Sequence, residues 1–182
     1  FLNYDANSPV SESLGSLWAS LSTHHARSIM IMSASPGEGK TFCAANLAVL
    51  LANKGYRTLL VDADFCKQDM AELFIDPMER EVRGEEMTSQ NLCQETTFKD
   101  LYLISCGRLT SDTGEPMSEE IFVKMLTEAY SSFDYVIIDT SPLNSGKDGL
   151  KYASHAEATV LVVESGKTDF RTAREAAKEL KG

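Results

Sequence analysis

Nine residues, Ser33 to Thr41, read SASPGEGKT and follow directly on the apolar run Ile29-Met30-Ile31-Met32. Gly37 and Gly39 allow successive backbone N–H groups to turn inward around an anion. A helical pattern starts just after them and adds the positive end of its dipole. Lys40 can reach the outer phosphates of a nucleotide as a point charge, and Thr41 can offer its hydroxyl to Mg²⁺. The pattern is A-x-x-x-x-G-K-T, with Ala34 at the first position. It predicts a nucleoside triphosphate held over Ser35, Pro36, Gly37, Glu38, Gly39, Lys40, Thr41 and Phe42. The alternative is a glycine turn with a purely structural role.

Two further segments supply acids. LLVDAD ends an apolar run with Asp62 and Asp64, and YVIIDTSP ends another with Asp139. Ligands of open parallel sheets sit beyond the carboxyl ends of the strands. Both segments are therefore predicted to bring their aspartates to the edge that carries Lys40 and Thr41. Mg²⁺ takes oxygen ligands and keeps several waters, which suits one or two carboxylates plus phosphates. Thr41, Asp62, Asp64 and Asp139 are the candidate metal-binding set, and Lys40, Asp62, Asp64 and Asp139 the candidate catalytic set.

The elements that must position these residues are legible as alternating patterns. SIMIMSA, RTLLVDAD, DLYLIS, DYVIIDT and ATVLVVES each read as a buried strand. Helical patterns lie between them. Ser8 and Pro9 open one, with Leu14, Leu17, Trp18 and Leu21 on a single face. A second runs from about Lys40 to Asn53 and is ended by Gly55. A third, capped by Ser118, places Ile121, Met125, Leu126 and Ala129 on one side. TDFRTAREAAKELKG reads as a last helix. Nearly all-apolar strands alternating with helices predict an α/β fold, a mostly parallel central sheet with helices on both faces. The polar stretch from Asp76 to Gln94 is expected to be loop and short helix over the carboxyl edge.

Bulk composition narrows the class. With 182 residues and 43% apolar content the chain fits one domain, residues 1–182. It starts at Phe1 and has no signal peptide, and is expected to be a fragment of a longer protein. No apolar run is long enough to span a bilayer. A net charge of −10 without a basic block argues against nucleic acid as a partner. The cysteines at 43, 66, 93 and 106 form no C-x-x-C pair and are expected to be buried free thiols. His24, His25 and His155 have no metal-ligand spacing.

Taken together, SASPGEGKT, LLVDAD and IIDTSP resemble the Walker A, A′ and B motifs of the bacterial tyrosine kinases, P-loop NTPases linked to capsule and exopolysaccharide synthesis. SPVSESL resembles the family's opening helix, DLYLISCGRL its third core strand, and KDGLKYASHAEATVLVVESGKTDF its closing helix, strand and turn. The likeness covers nearly the whole chain. It implies a P-loop NTPase fold, ATP (and its product ADP) and Mg²⁺. Lys40 would bind the transferred phosphate and Thr41 the Mg²⁺. Asp62 would activate the attacking hydroxyl or water, Asp64 would assist at the metal, and Asp139 would hold a water on it. The implied partner is a membrane polysaccharide co-polymerase or chain-length regulator, fused upstream or separate. The implied place is the cytoplasmic face of the membrane, reached through a segment or partner outside these residues. A homo-oligomer is a further possibility.

The chain departs from that family in two places. Its opening helix usually carries Glu-x-x-Arg-x-x-Arg for ring assembly. Here Glu12 is followed by Gly15 and Trp18, which cannot replace two guanidinium groups. After Asp64 a basic pair and proline give way to Cys66, Lys67 and Gln68. These losses keep open a nucleotide-holding regulatory module with little turnover. Septum-placement and plasmid-partition ATPases are the nearest alternative. They carry a second lysine early in the loop, where this chain has Ser35. The six tyrosines, at 4, 56, 102, 130, 135 and 152, are scattered and expected to be packing residues.

Overall fold

Helix α1 (Pro9–Ser22) begins as its sequence dictates: the Ser8 hydroxyl accepts the Ser11 N–H at 3.2 Å, and Pro9 occupies the first turn. The computed structural model describes residues 8–64, 70–75, 93–105, 118–145 and 148–181. Tyr4, Cys66, Lys67, Gln68, Cys106 and residues 76–92 lie outside them, so the readings made there are not taken further.

Six strands form one sheet: β1 (Ser28–Ser33), β2 (Thr58–Ala63), β3 (Gln94–Glu95), β4 (Leu101–Ser105), β5 (Tyr135–Thr140) and β6 (Ala158–Val162). Their order is β3-β4-β2-β5-β1-β6, all parallel except β3 against β4. Five strands coincide with the five apolar runs, but β6, at the edge of the sheet, is half-buried at every residue and not buried as read. The two-residue β3 was not expected, since Gln94 stood in a predicted loop. It completes the edge by pairing Gln94 with Leu103 and Glu95 with Tyr102.

Alternation along the strands divides the core. Ile29 and Ile31 of β1, Leu60 of β2 and Ile137 of β5 pack with α2 (Lys40–Asn53). Met30, Met32, Leu59, Val61, Val136 and Ile138 pack on the other face, with α4 (Glu119–Ala129) and α5 (Asp148–Ala153). A short α3 (Met70–Phe74) joins the first face. Helix α2 is buried along most of its length, from Ala44 to Ala52 with few breaks, because α1 covers its outer side. It ends where Gly55 takes φ +89°, with Gly55 N–H on Ala52 O and Tyr56 N–H on Leu51 O.

Helix α4 packs the side expected of it at Met125, Leu126 and Ala129 but not at Ile121. Ser118 caps it through the Ile121 N–H, as read, but the buried stripe is Phe122, Leu126 and Ala129, while Ile121 is 54% exposed. The Phe122 ring lies 4.5 Å from that of Tyr152, a better fit to the sheet than Ile121 offers. Of the thiols, Cys43 is half-buried and Cys93 exposed, both free, so burial was the wrong expectation for Cys93.

Trp18 belongs to the α1–α2 surface. Its ring sits 5.8 Å from Tyr56, the Lys54 amine lies 4.9 Å from its centroid, and its indole N–H has no hydrogen-bond partner among the described residues. Among the described residues, no helix is long and apolar enough to cross a membrane.

Candidate active site

Parallel pairing sets the geometry of the site. In register, Asp62 on β2 faces Asp139 on β5. Neighbouring strands run about 4.8 Å apart, so two carboxylates emerge side by side at the carboxyl edge. β1 flanks β5 on the other side and ends at Ser33, where the glycine loop begins.

The loop is shaped by residues that suit it. Gly37 and Gly39 adopt φ +81° and +89°, conformations that an L side chain resists. Ala34 stands buried outside the left-handed region, so the missing first glycine costs nothing here. Gly39 caps α2 with no side-chain hydrogen bond, so the positive end of the helix faces the loop. The Ser33 hydroxyl donates to Ser35 O at 2.9 Å, and Asn144 N–H donates to Ala34 O. Pro36 and Gly37 are exposed, and Ser35, Thr41 and Phe42 half-buried.

Lys40 is 7% exposed and points into the acids. Its amine lies 2.7 Å from Asp64 Oδ2, 3.9 Å from Asp139 Oδ1 and 3.3 Å from the Thr41 hydroxyl. The Asp64 N–H donates to Asp62 Oδ1 at 3.3 Å, and the Ser141 hydroxyl donates to Asp64 Oδ1 at 2.9 Å. The structure thus brings Lys40, Thr41, Asp62, Asp64 and Asp139 together.

Burial and mutual repulsion decide the protonation of these acids. Burial first, then the Asp139 charge, pushes the Asp62 carboxyl up to about 7. Asp139 rises to about 6 because burial outweighs the favourable Lys40 charge and the Thr41 hydrogen bond. Among the described residues Asp139 Oδ1 is buried with no hydrogen-bond partner, the Lys40 amine standing 3.9 Å away. A buried carboxylate oxygen of that kind beside a threonine hydroxyl fits a hydrated divalent cation.

The Glu38 side chain turns into the protein rather than outward from the loop. Its carboxylate is 6% exposed and accepts the Ser35 N–H at 2.7 Å and the Thr168 hydroxyl. Glu38 thus offers a ligand its backbone, while its side chain shapes the loop. Sequence reasoning missed Ser141, Asn144 and Thr168. Ser141 adjoins Asp139 within IIDTSP and was within reach, but Thr168 lies 130 residues from Glu38 with no local signal.

An inward-turned glycine loop, a buried lysine and acids on adjacent strands define a nucleotide-binding P-loop NTPase. The family model described as ParA, NUBPL iron-transfer P-loop NTPase, matches residues 24–179. The chain belongs to this ParA family of P-loop NTPases, among relatives that are bacterial tyrosine kinases. It is 33% identical over 159 residues to the tyrosine-protein kinase YwqD of Bacillus subtilis, covering 85% of this chain and 66% of that one. It is 32% identical over 162 residues to the succinoglycan biosynthesis transport protein ExoP of Rhizobium meliloti, covering 85% of this chain and 20% of that one. The BceF tyrosine kinase domain superposes with a TM-score of 0.75 at 30% identity, covering 93% of this chain and 71% of that one. The chain therefore spans 66% of the length of YwqD and a fifth of ExoP.

Proposed function

We propose that this chain is an ATP-dependent tyrosine kinase domain that regulates exopolysaccharide or capsule synthesis. The observation that carries the reading is the Lys40 amine set between Asp64 and Asp139 at the mouth of the glycine loop. The loop amides and Lys40 grip the triphosphate. Thr41, Asp62, Asp64 and Asp139 are the residues that would hold Mg²⁺, which would supply neutralisation of phosphate charge. Asp62 takes the proton of the attacking hydroxyl. In the metal-free site, burial and the Asp139 charge make this carboxyl more basic than an exposed aspartate. The tyrosine oxygen forms a bond to the terminal phosphorus, the bond to the bridging oxygen breaks, and ADP leaves. Water takes the place of the tyrosine when none reaches the site. Positioning and electrostatics supply most of this catalysis.

The ExoP likeness supports a polysaccharide-assembly partner at the membrane, a co-polymerase or chain-length regulator, with this domain on the cytoplasmic side. Its acidic surface suits a basic juxtamembrane segment. A second reading, nucleotide held with little turnover, is favoured by α1, where Gly15 and Trp18 stand and Trp18 is already packed on Tyr56.

The test is incubation of the full-length protein with γ-labelled ATP and Mg²⁺. Label on tyrosine that disappears in Lys40→Ala and Asp62→Asn supports the kinase. Tight ATP binding with neither label nor released phosphate supports the second reading. A wild-type protein that binds no nucleotide overturns both.

A further inference from the structure

A buried carboxylate inside an anion-binding loop works against the loop's purpose unless something else requires it. Glu38 is such a group, and both its oxygens are engaged: Oε2 with the Ser35 N–H and Oε1 with the Thr168 hydroxyl. The Thr168 oxygen in turn accepts the Glu164 N–H at 3.0 Å. The glycine loop is thereby stitched to the turn between β6 and α6 (Phe170–Glu179), which Glu164 and Thr168 close.

That turn carries Lys167. Its amine lies 3.6 Å from the point a β-carbon on Gly37 would occupy, directly against the exposed part of the loop. Its carboxylate partner is Glu164, at 2.8 Å, in a pair whose side chains are 59% and 43% exposed. Exposed pairs of this kind are worth about 0–1 kcal/mol, so the amine can leave Glu164 at little cost. The site also needs another cation. Lys40 is shared with Asp64 and Asp139, and Glu38 places a further buried carboxylate within the loop.

We propose that Lys167 is a second phosphate-binding cation, held over the loop by the Glu38–Thr168 hydrogen bond and released from Glu164 when nucleotide enters. The lysine comes from the far end of the same chain, not from the loop itself. It thus supplies in cis a positive charge that Ser35 does not. Glu38 gains a purpose: its charge fixes the turn that delivers the ammonium group. This inference rests on the reading of the loop as an ATP site.

Titration of the full-length protein with a fluorescent ATP analogue and Mg²⁺, at low and high salt, tests it. Lys167→Ala is expected to weaken binding about tenfold, the effect of one lost charge-assisted contact, and to flatten the salt dependence. Lys167→Arg restores affinity to within about twofold, because charge and reach are kept. Thr168→Val weakens binding in the same direction by freeing the turn. Wild-type affinity in Lys167→Ala, alongside lost binding in Lys40→Ala, overturns the proposal and leaves the ATP site standing. Wild-type affinity in Thr168→Val overturns the positioning. A wild-type chain that binds no nucleotide overturns both the proposal and the reading beneath it.

Discussion

Replacing Asp62 by asparagine is expected to stabilise the metal-free, nucleotide-free fold at pH 8. Asp62 is 3% exposed and its carboxyl rises from 3.8 to about 7, through burial and then the charge of Asp139 in register beside it. A carboxyl whose folded value is raised binds more protons folded than unfolded. Wild-type stability therefore falls as pH climbs from about 4 to about 7, and stays low above that. About three decades at about 1.4 kcal/mol each sets a ceiling of about 4 kcal/mol. The asparagine amide is itself a polar group buried at a cost, so about 2 kcal/mol is the expected gain at pH 8. For a chain of this size that is a rise of about 4–8 °C in melting temperature. Asparagine keeps an acceptor for the Asp64 N–H and removes the charge. The assay is thermal melting of wild type and Asp62→Asn in chelator, at pH 4 and pH 8, beside a phosphoryl-transfer assay. The variant gains stability at pH 8, little at pH 4, and loses transfer. A variant no more stable than wild type at pH 8, or equally stabilised at pH 4, refutes the reasoning.

Two further outcomes follow from the packing and the loop. Phe122→Ala removes a fully buried ring stacked near Tyr152 and costs about 3–5 kcal/mol in chemical denaturation, whereas Ile121→Ala on the exposed side costs less than about 1 kcal/mol. Gly39→Ala forces φ +89° on a β-carbon, costs about 1–2 kcal/mol in the same measurement, and lowers nucleotide affinity by displacing the first amides of α2.

What was legible in the sequence was local. The glycine loop, its following helix and the five apolar strands are contiguous patterns, each dictated by its own residues. Strand-end aspartates after apolar runs could be assigned to one edge because parallel strands share an edge. What was hidden depends on contacts distant along the chain. Nothing near Glu38 announces that its carboxylate will be spent on Thr168, and nothing near Gln94 marks a two-residue strand completed by β4. On α4, Met125, Leu126 and Ala129 were read on the packed side, but Ile121 was taken for Phe122 because both are apolar, and only the space beside Tyr152 selects the ring. The departures at Gly15 and Trp18 were visible at once, but the packing of Trp18 on Tyr56 and under Lys54 was not.

The central claim is that Lys40 and the acids around it hold a nucleotide together with its metal. Calorimetric titration of ATP into the full-length protein, with and without Mg²⁺, tests it most directly when wild type is compared with Lys40→Ala and Asp139→Asn. The account predicts tight binding by wild type that strengthens with Mg²⁺, loss of binding in Lys40→Ala, and loss of only the Mg²⁺-dependent gain in Asp139→Asn. Equal ATP binding by all three proteins, indifferent to Mg²⁺, would contradict it.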